Sequence, residues 1–77
     1  MSVTVKYFAS LAEDRGRRED RVEHRAGATV LDLWHAANGD LALPANVLSA
    51  VNQEYVGRDH PVRDGDEVAF FPPVTGG

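Results

Sequence analysis

Residues 67–77 read EVAFFPPVTGG and combine a short strand, a stop signal and a tail. Val68 and Phe70 alternate with three other side chains, at the two-residue period that is typical of a half-buried β-strand. We expect Val68 and Phe70 to face the core. The outward-facing set is Glu67, Ala69 and Phe71. The two prolines that follow have no amide hydrogen to donate to a neighbouring strand, so they end this one.

A second alternating strand covers residues 2–8, SVTVKYF. The predicted core-facing set is Val3, Val5 and Tyr7, and the outward-facing set is Thr4, Lys6 and Phe8. If this strand lies beside the last one, Phe8 and Phe71 lie close together on the outer face, and Tyr55 joins them. A cluster of exposed aromatic side chains is typical of a docking surface.

One helix is clearly indicated between these two strands. Its apolar positions fall at i, i+3, i+4 and i+7, and they are Val30, Leu33, Trp34 and Ala37. Thr29 followed by Asp32 predicts a capping box with aspartate in place of glutamate. Asn38-Gly39 predicts the carboxyl-terminal end of the helix.

The remaining segments give weaker signals. They predict a short helical turn at residues 9–14, an edge strand within 18–25, a buried strand at 47–51, its short partner at 55–56, and a loop over 57–66.

The predicted fold class is α+β. Placing the first and last strands side by side and parallel gives a β-grasp, the ubiquitin-like arrangement, in which the helix crosses one face of a mixed sheet. We expect about five strands, one main helix and a flexible carboxyl-terminal Gly-Gly tail. We also expect a single ubiquitin-like domain over residues 1–77, with residues 72–77 as the extended functional tail.

Composition narrows the functional classes. The chain has 77 residues, a formal net charge of −4 and no cysteine, which excludes a disulfide framework, a thiol nucleophile and a persulfide carrier. Five of the eight basic residues lie within residues 15–25, but no aromatic side chain lies between Phe8 and Trp34, so we expect no nucleic-acid partner. The sequence lacks an apolar run long enough for a membrane span, and we expect a cytoplasmic protein without a membrane partner.

Metal binding is not expected either. The three histidines, His24, His35 and His60, are far apart in sequence, and neither cysteine nor a paired carboxylate accompanies them. A short chain without such a constellation favours a carrier, a subunit or a binding module over a complete enzyme.

The tail is the strongest functional feature. The last two residues are glycines, which have no Cβ atoms, so this part of the tail can enter a narrow channel on another protein. The Pro-Pro pair before it projects the tail away from the sheet. The reactive group offered there is the α-carboxylate of Gly77. The residues that give the tail access are Gly76, Thr75 and Val74. The expected partner-binding residues are Phe8, Tyr55, Phe71, Pro72 and Pro73.

Four stretches resemble the MoaD family, the small sulfur-carrier subunit of molybdopterin synthase. Residues 5–11, VKYFASL, resemble the family's opening strand, and residues 27–30, GATV, resemble its entry to the helix. Residues 51–56, VNQEYV, resemble its central hairpin. Most specific are residues 64–77, DGDEVAFFPPVTGG.

The resemblance implies a sulfur carrier that is not an enzyme by itself and binds no cofactor. A MoeB-like adenylating enzyme uses ATP to activate the Gly77 carboxylate, and a sulfurtransferase or desulfurase then supplies sulfur to form a thiocarboxylate. The sulfur passes to cyclic pyranopterin monophosphate during molybdenum cofactor biosynthesis. The catalytic residues belong to a MoaE-like large subunit, in a heterotetramer of two small and two large chains. Family docking positions correspond to Phe8, Tyr55 and Phe71.

Three alternatives use the same features. A ubiquitin-like protein modifier is joined to lysines of its targets through the same carboxyl terminus. A ThiS-like carrier delivers sulfur to a thiazole precursor. In the third alternative the chain is a β-grasp interaction module in which Gly-Gly is incidental.

Overall fold

The strands and helices follow the predicted order. The structure, a computed structural model, describes residues 2–72. Its elements are β1 (Ser2–Tyr7), α1 (Ser10–Arg15), β2 (Glu19–Glu23), α2 (Val30–Asn38), β3 (Leu48–Val51), β4 (Glu54–Val56) and β5 (Glu67–Phe71). The weakly indicated segments therefore form α1, the edge strand β2, and the β3–β4 hairpin.

The five strands form one mixed sheet in the order β2-β1-β5-β3-β4. The central pair, β1 and β5, is parallel, with Thr4 opposite Glu67 and Tyr7 opposite Phe70. The other three pairs are antiparallel. Because the first and last strands are parallel neighbours, this is the β-grasp arrangement that the sequence predicts.

The core lies between the sheet and α2. Val5 and Val68 are fully buried, and the Trp34 side chain is only 1% exposed. The Trp34 ring meets Tyr7 and Phe70 edge-on, at centroid distances of 6.2 and 5.0 Å, a geometry that aromatic pairs prefer. The inward-facing side chains of both predicted strands therefore form the core.

The predicted capping box starts α2. The Asp32 amide donates to Thr29 Oγ1 at 3.3 Å, and the Thr29 amide donates to Asp32 Oδ2 at 2.9 Å. These two bonds satisfy amides that have no partner within the helix. Gly39, with φ of 64°, ends the helix, and its amide donates to the His35 carbonyl at 2.7 Å.

A polar network joins β1, β2 and the end of α2. The Tyr7 hydroxyl donates to Asp20 at 2.8 Å and accepts from the Asn38 side-chain amide at 3.1 Å. Arg17 donates to Asp20 at 2.6 Å and to the Ala37 carbonyl at 2.9 Å. Burial, and next the hydrogen bond to Asp20, raise the pKa of Tyr7. The arginine-rich segment thus has an internal structural role through Arg17.

Two side chains depart from the sequence-based expectation. The segment 47–51 is predicted to be buried, but Leu48 is 40% exposed because β3 is covered on only one face of the sheet. Ala69 lies on the outer face as predicted, yet only 6% of it is exposed. Its small side chain stands in the middle of the sheet, between Lys6 on β1 and Ala50 on β3. Within residues 2–72, no helix is long and apolar enough to cross a membrane.

Candidate functional site

Four apolar side chains form a continuous group on the sheet face opposite α2. We call this group the outer cluster, and it consists of Phe8, Leu48, Tyr55 and Phe71. The Phe8 and Phe71 rings are stacked, with centroids 4.7 Å apart and planes 10° apart. The Tyr55 ring lies 6.0 Å from Phe71 at a tilt of 59°. The predicted proximity of the three aromatic rings is confirmed.

Strand register brings the two phenylalanines together. Tyr7 and Phe70 are partners across the parallel pair, so the next residues on both strands point to the outer face. The Phe8 amide donates to the Phe70 carbonyl at 3.2 Å, which extends the pairing one residue beyond β1. Ala9 then adopts φ of 51° and ψ of −128°, which turns the chain sharply into α1. Phe8 is therefore held at a fixed corner.

The β3–β4 hairpin supplies the other half of the outer cluster. Leu48 is directly opposite Phe71, and Tyr55 is directly opposite Ala50 on the neighbouring strand. Sequence reasoning missed Leu48 because the apolar run at residues 47–51 was assigned to a buried strand. No local sequence signal identifies Leu48, because the outward phase of β3 is set by its pairing with β5.

The outer cluster is exposed to solvent. Phe8 is 41%, Leu48 40% and Tyr55 73% exposed. Adjacent exposed aromatic and aliphatic side chains of this kind are typical of the buried centre of a protein–protein interface. The arrangement can therefore dock another protein by burying the four side chains together.

Charged side chains border the outer cluster on the β1 and β2 side. Lys6 Nζ lies 3.2 Å from Glu67 Oε2 across the parallel pair. The exposed side chains of β2 on the same face are Glu19, Arg21 and Glu23. The face is thus apolar near the end of β5 and charged toward the β2 edge.

A second polar network fixes the hairpin relative to β5. The Asn52 side chain accepts from the Glu67 amide at 3.0 Å and donates to Asp66 at 2.9 Å. Asp66 also accepts from the Arg63 amide at 2.8 Å. This backbone bond lowers the pKa of Asp66, against a smaller opposing effect of burial, and Asn52 lowers it further. The network holds the strand that carries Leu48 beside the strand that carries Phe71.

The chain leaves the sheet at the outer cluster. Pro72 follows Phe71 directly and is half-buried. The other predicted tail and partner residues, Pro73, Val74, Thr75, Gly76 and Gly77, lie outside the described residues. The geometry therefore places the start of the predicted tail beside Phe71, and the roles of the tail residues stay predictions.

The histidines have separate surroundings. A ring nitrogen of His24 lies 2.9 Å from the Val62 carbonyl, and one of His35 lies 2.8 Å from the Gly39 carbonyl. His60 is an exposed loop residue whose carbonyl accepts from the Val30 amide at 3.0 Å. In the part of the chain that the structure describes, no three His, Cys, Asp or Glu residues are grouped so that they could hold a metal ion.

The fold and the sequence of the tail together define a class. A β-grasp sheet whose last strand leads from an exposed apolar face toward Gly-Gly is typical of the ubiquitin-like carriers and modifiers. Comparison with known families specifies the assignment further. The chain belongs to the ThiS family, whose model matches residues 5–77.

Curated relatives agree with this assignment. The molybdopterin synthase sulfur carrier subunit of Haemophilus influenzae is 55% identical over 80 positions, covering 97% of this chain and 99% of the relative. That of Escherichia coli is 59% identical over 46 residues, which cover 60% of this chain and 52% of the relative. Small archaeal modifier protein 1 of Haloferax volcanii is 37% identical, with coverage of 94% and 97%. The resemblance to the MoaD family is confirmed.

Solved structures support the fold. A crystal structure of the same Haloferax volcanii modifier covers 100% of both chains with a TM-score of 0.85 and 35% identity. A complex of subunits 1 and 2 of molybdopterin-converting factor from Helicobacter pylori contains a similar chain, with full coverage of both chains, a TM-score of 0.66 and 22% identity. The ubiquitin-like β-grasp fold is therefore established by both sequence order and structural similarity.

Proposed function

We propose that this chain is the sulfur-carrier subunit of a molybdopterin synthase. The observation that carries the proposal is the position of Phe71, which belongs to the outer cluster and directly precedes residues 72–77, the predicted tail. Docking through the outer cluster therefore fixes where the tail begins relative to a partner. The names of the bacterial relatives support the same role.

The chemistry we propose resides on Gly77. Its carboxylate oxygen attacks the α-phosphate of ATP in a MoeB-like adenylating enzyme, and pyrophosphate leaves. The persulfide of a sulfurtransferase or desulfurase then attacks the acyl carbon, and AMP departs with the electron pair. A thiol reduces the S–S bond of the resulting acyl disulfide, and a thiocarboxylate remains. Gly76, which has no Cβ, gives the end of the tail a slim profile for entry into partner sites, and Thr75 and Val74 form the part of the tail that follows it into the channel. The chain itself binds no cofactor in this scheme.

The proposed partner at the outer cluster is a MoaE-like large subunit. The docking residues are Phe8, Tyr55, Phe71, Pro72 and Pro73, to which the structure suggests adding Leu48. In the proposed complex the large subunit holds the catalytic residues, and two small and two large chains form a heterotetramer. The Helicobacter pylori complex of two subunits is consistent with such a pairing.

The carrier's contribution to the reaction is then positional. Docking converts the encounter of sulfur and pterin into a step within one complex, which is the advantage of holding reactants in place. The pterin substrate is cyclic pyranopterin monophosphate, and two sulfur transfers build its dithiolene. The setting we propose for this work is the cytoplasm.

Intact-mass measurement tests the proposal. Incubation with ATP, the adenylating enzyme and a sulfur donor should raise the mass by the difference between one sulfur and one oxygen. Omission of ATP, or deletion of Gly77, should abolish the gain. An unchanged mass in the complete mixture, with the adenylating enzyme active on a known carrier, would contradict the proposal.

A protein modifier is the second candidate. The similarity to the small archaeal modifier protein 1, in both sequence and structure, favours it. Isopeptide-linked products on lysines of other proteins, lost on deletion of Gly77, are its expected signature. Thiocarboxylate formation without such products would favour the carrier alone.

A further inference from the structure

Lysine is almost absent from this chain. Its eight basic residues are seven arginines and one lysine, Lys6. Arginine remains protonated at any physiological pH, whereas a lysine amine in its neutral form is a nucleophile. Lys6 is therefore the chain's one side-chain amine that can be acylated.

Lys6 is reachable from solvent on the outer face. It lies on β1, between the edge strand β2 and β5, directly opposite Ala69. The Lys6 side chain is 36% exposed, and its Nζ is held 3.2 Å from Glu67 Oε2. The ion pair places the nitrogen over the sheet rather than leaving it to sample the solvent freely.

The direction of the chain argues for a donor in another molecule. Strands β1 and β5 are parallel, so the chain passes Lys6 at Ala69 and then moves away through Phe71 and Pro72. To reach Lys6 of the same molecule, a chain that leaves β5 in this direction would have to turn back past Phe71. A second copy is under no such constraint.

We propose that Lys6 is an acceptor site at which a second copy of this chain is attached through an isopeptide bond. The inference rests on the proposed adenylation of Gly77. The Lys6 ammonium, paired with Glu67, first loses one proton to water. The resulting neutral amine attacks the acyl carbon of the adenylated Gly77, and a nitrogen–carbon bond forms. The bond from that carbon to the phosphate oxygen breaks, AMP leaves with the electron pair, and the nitrogen loses one proton to water.

The test uses the full chain, ATP and the adenylating enzyme, without a sulfur donor. We expect a covalent dimer whose mass is twice that of the chain less one water. Tryptic digestion should yield residues 1–15 carrying residues 64–77 on Lys6. The variant Lys6→Arg keeps the positive charge beside Glu67 and should abolish this dimer, while it forms thiocarboxylate as the wild type does once the sulfur donor is added.

Three outcomes would overturn the inference. They are a dimer joined through the amino-terminal amine of Met1, a cyclic monomer that has lost one water, and the absence of any adduct although ATP-dependent adenylation proceeds. Pyrophosphate release, measured in the same mixture, separates the two proposals. If no pyrophosphate is released the proposed function itself fails, and release without an adduct rejects only the role of Lys6.

Discussion

Phe71 is the residue at which the outer cluster and the tail meet. Its ring contacts Phe8 on one side and Tyr55 on the other, and Leu48 is its partner on the neighbouring strand β3. Phe71 is therefore next to each of the other three members of the outer cluster, and it lies at the centre of the predicted interface. Interface residues at such central positions carry most of the binding energy.

The first prediction concerns the replacement Phe71→Ala. We expect binding to the large subunit to weaken by about 2 kcal/mol or more, roughly 30-fold in Kd, since a central aromatic anchor is lost. Isothermal titration calorimetry with the purified large subunit measures the change. Leu41→Ala is the matched control, because Leu41 is 42% exposed but lies in the loop after α2. Equal affinities for wild type and Phe71→Ala would remove the outer cluster from the interface.

Ala9 is a strained residue beside this site. Its φ of 51° and ψ of −128° fall in a region that glycine adopts readily and alanine does not. We predict that Ala9→Gly raises the free energy of unfolding by about 1 kcal/mol, as relief of strain outweighs the added entropy of the unfolded chain. Urea denaturation measures this effect. Ala12→Gly, inside α1, should instead destabilise by about 1 kcal/mol, and loss of stability in both variants would contradict the assignment of strain.

Asp66 predicts a dependence of stability on pH. Its pKa is lowered in the folded protein, chiefly by the Arg63 amide, so the charged form contributes stability above the unfolded pKa of about 4. That contribution is lost as the pH falls through the lower, folded pKa. Asp66→Asn should therefore be less stable than wild type by about 1 kcal/mol at pH 7, and the difference should disappear in acid. A difference that stays constant from pH 7 to pH 3, in urea titrations, would exclude this cause.

At the scale of elements, the polar network around Tyr7 connects the end of α2 to the edge strand β2. Tyr7 on β1 bonds Asp20 on β2 and Asn38 at the end of α2, and Arg17 reinforces both contacts. The edge strand β2 has little apolar surface of its own, so these polar contacts substitute for packing. Within the arginine-rich segment, Arg17 therefore has a structural role.

Removal of one hydroxyl tests the network. Tyr7→Phe should lower the free energy of unfolding by about 1–2 kcal/mol, because the Asp20 and Asn38 side chains lose a shared partner in a half-buried site. The matched control is Tyr55→Phe, at a side chain that is 73% exposed. Thermal and urea unfolding should show a change only in the first variant, and an equal effect of the two would show that the network contributes nothing specific.

Periodicity made most elements predictable from the sequence. Alternation in residues 2–8 and 67–71 predicts that every second side chain, such as Val5 and Val68, faces the core. The capping box predicts where α2 begins. Leu48 was missed because a short apolar run does not reveal which of its members face outward. That phase is fixed by pairing with β5, a contact between residues distant in sequence.

Polar networks were less predictable for the same reason. Tyr7 bonds Asp20 and Asn38, which lie 13 and 31 positions away in the sequence. Single-sequence patterns do not encode such pairings. For the candidate site, the aromatic members of the outer cluster were predicted, whereas the aliphatic member and the supporting Asn52–Asp66 bond emerged only from the structure.

At the scale of the whole molecule, one sheet face packs against the core and the other carries the outer cluster. The chain is small and acidic, with a net charge of −4, and its apolar outer cluster lies where the last strand ends. A carrier that visits an activating enzyme and a synthase needs one docking face and one reactive end. In the proposed scheme the outer cluster is the docking face, and the tail that follows the last strand carries the reactive end.

Sulfur transfer in a single turnover tests the central claim most directly. The thiocarboxylated chain is mixed with the large subunit and cyclic pyranopterin monophosphate, and the masses of chain and pterin are followed together. We predict that the chain returns to its carboxylate mass as the pterin gains sulfur, with Phe71→Ala slower at limiting concentrations of the large subunit. A chain that keeps its sulfur while bound to an active large subunit, with no sulfur gained by the pterin, would contradict the account.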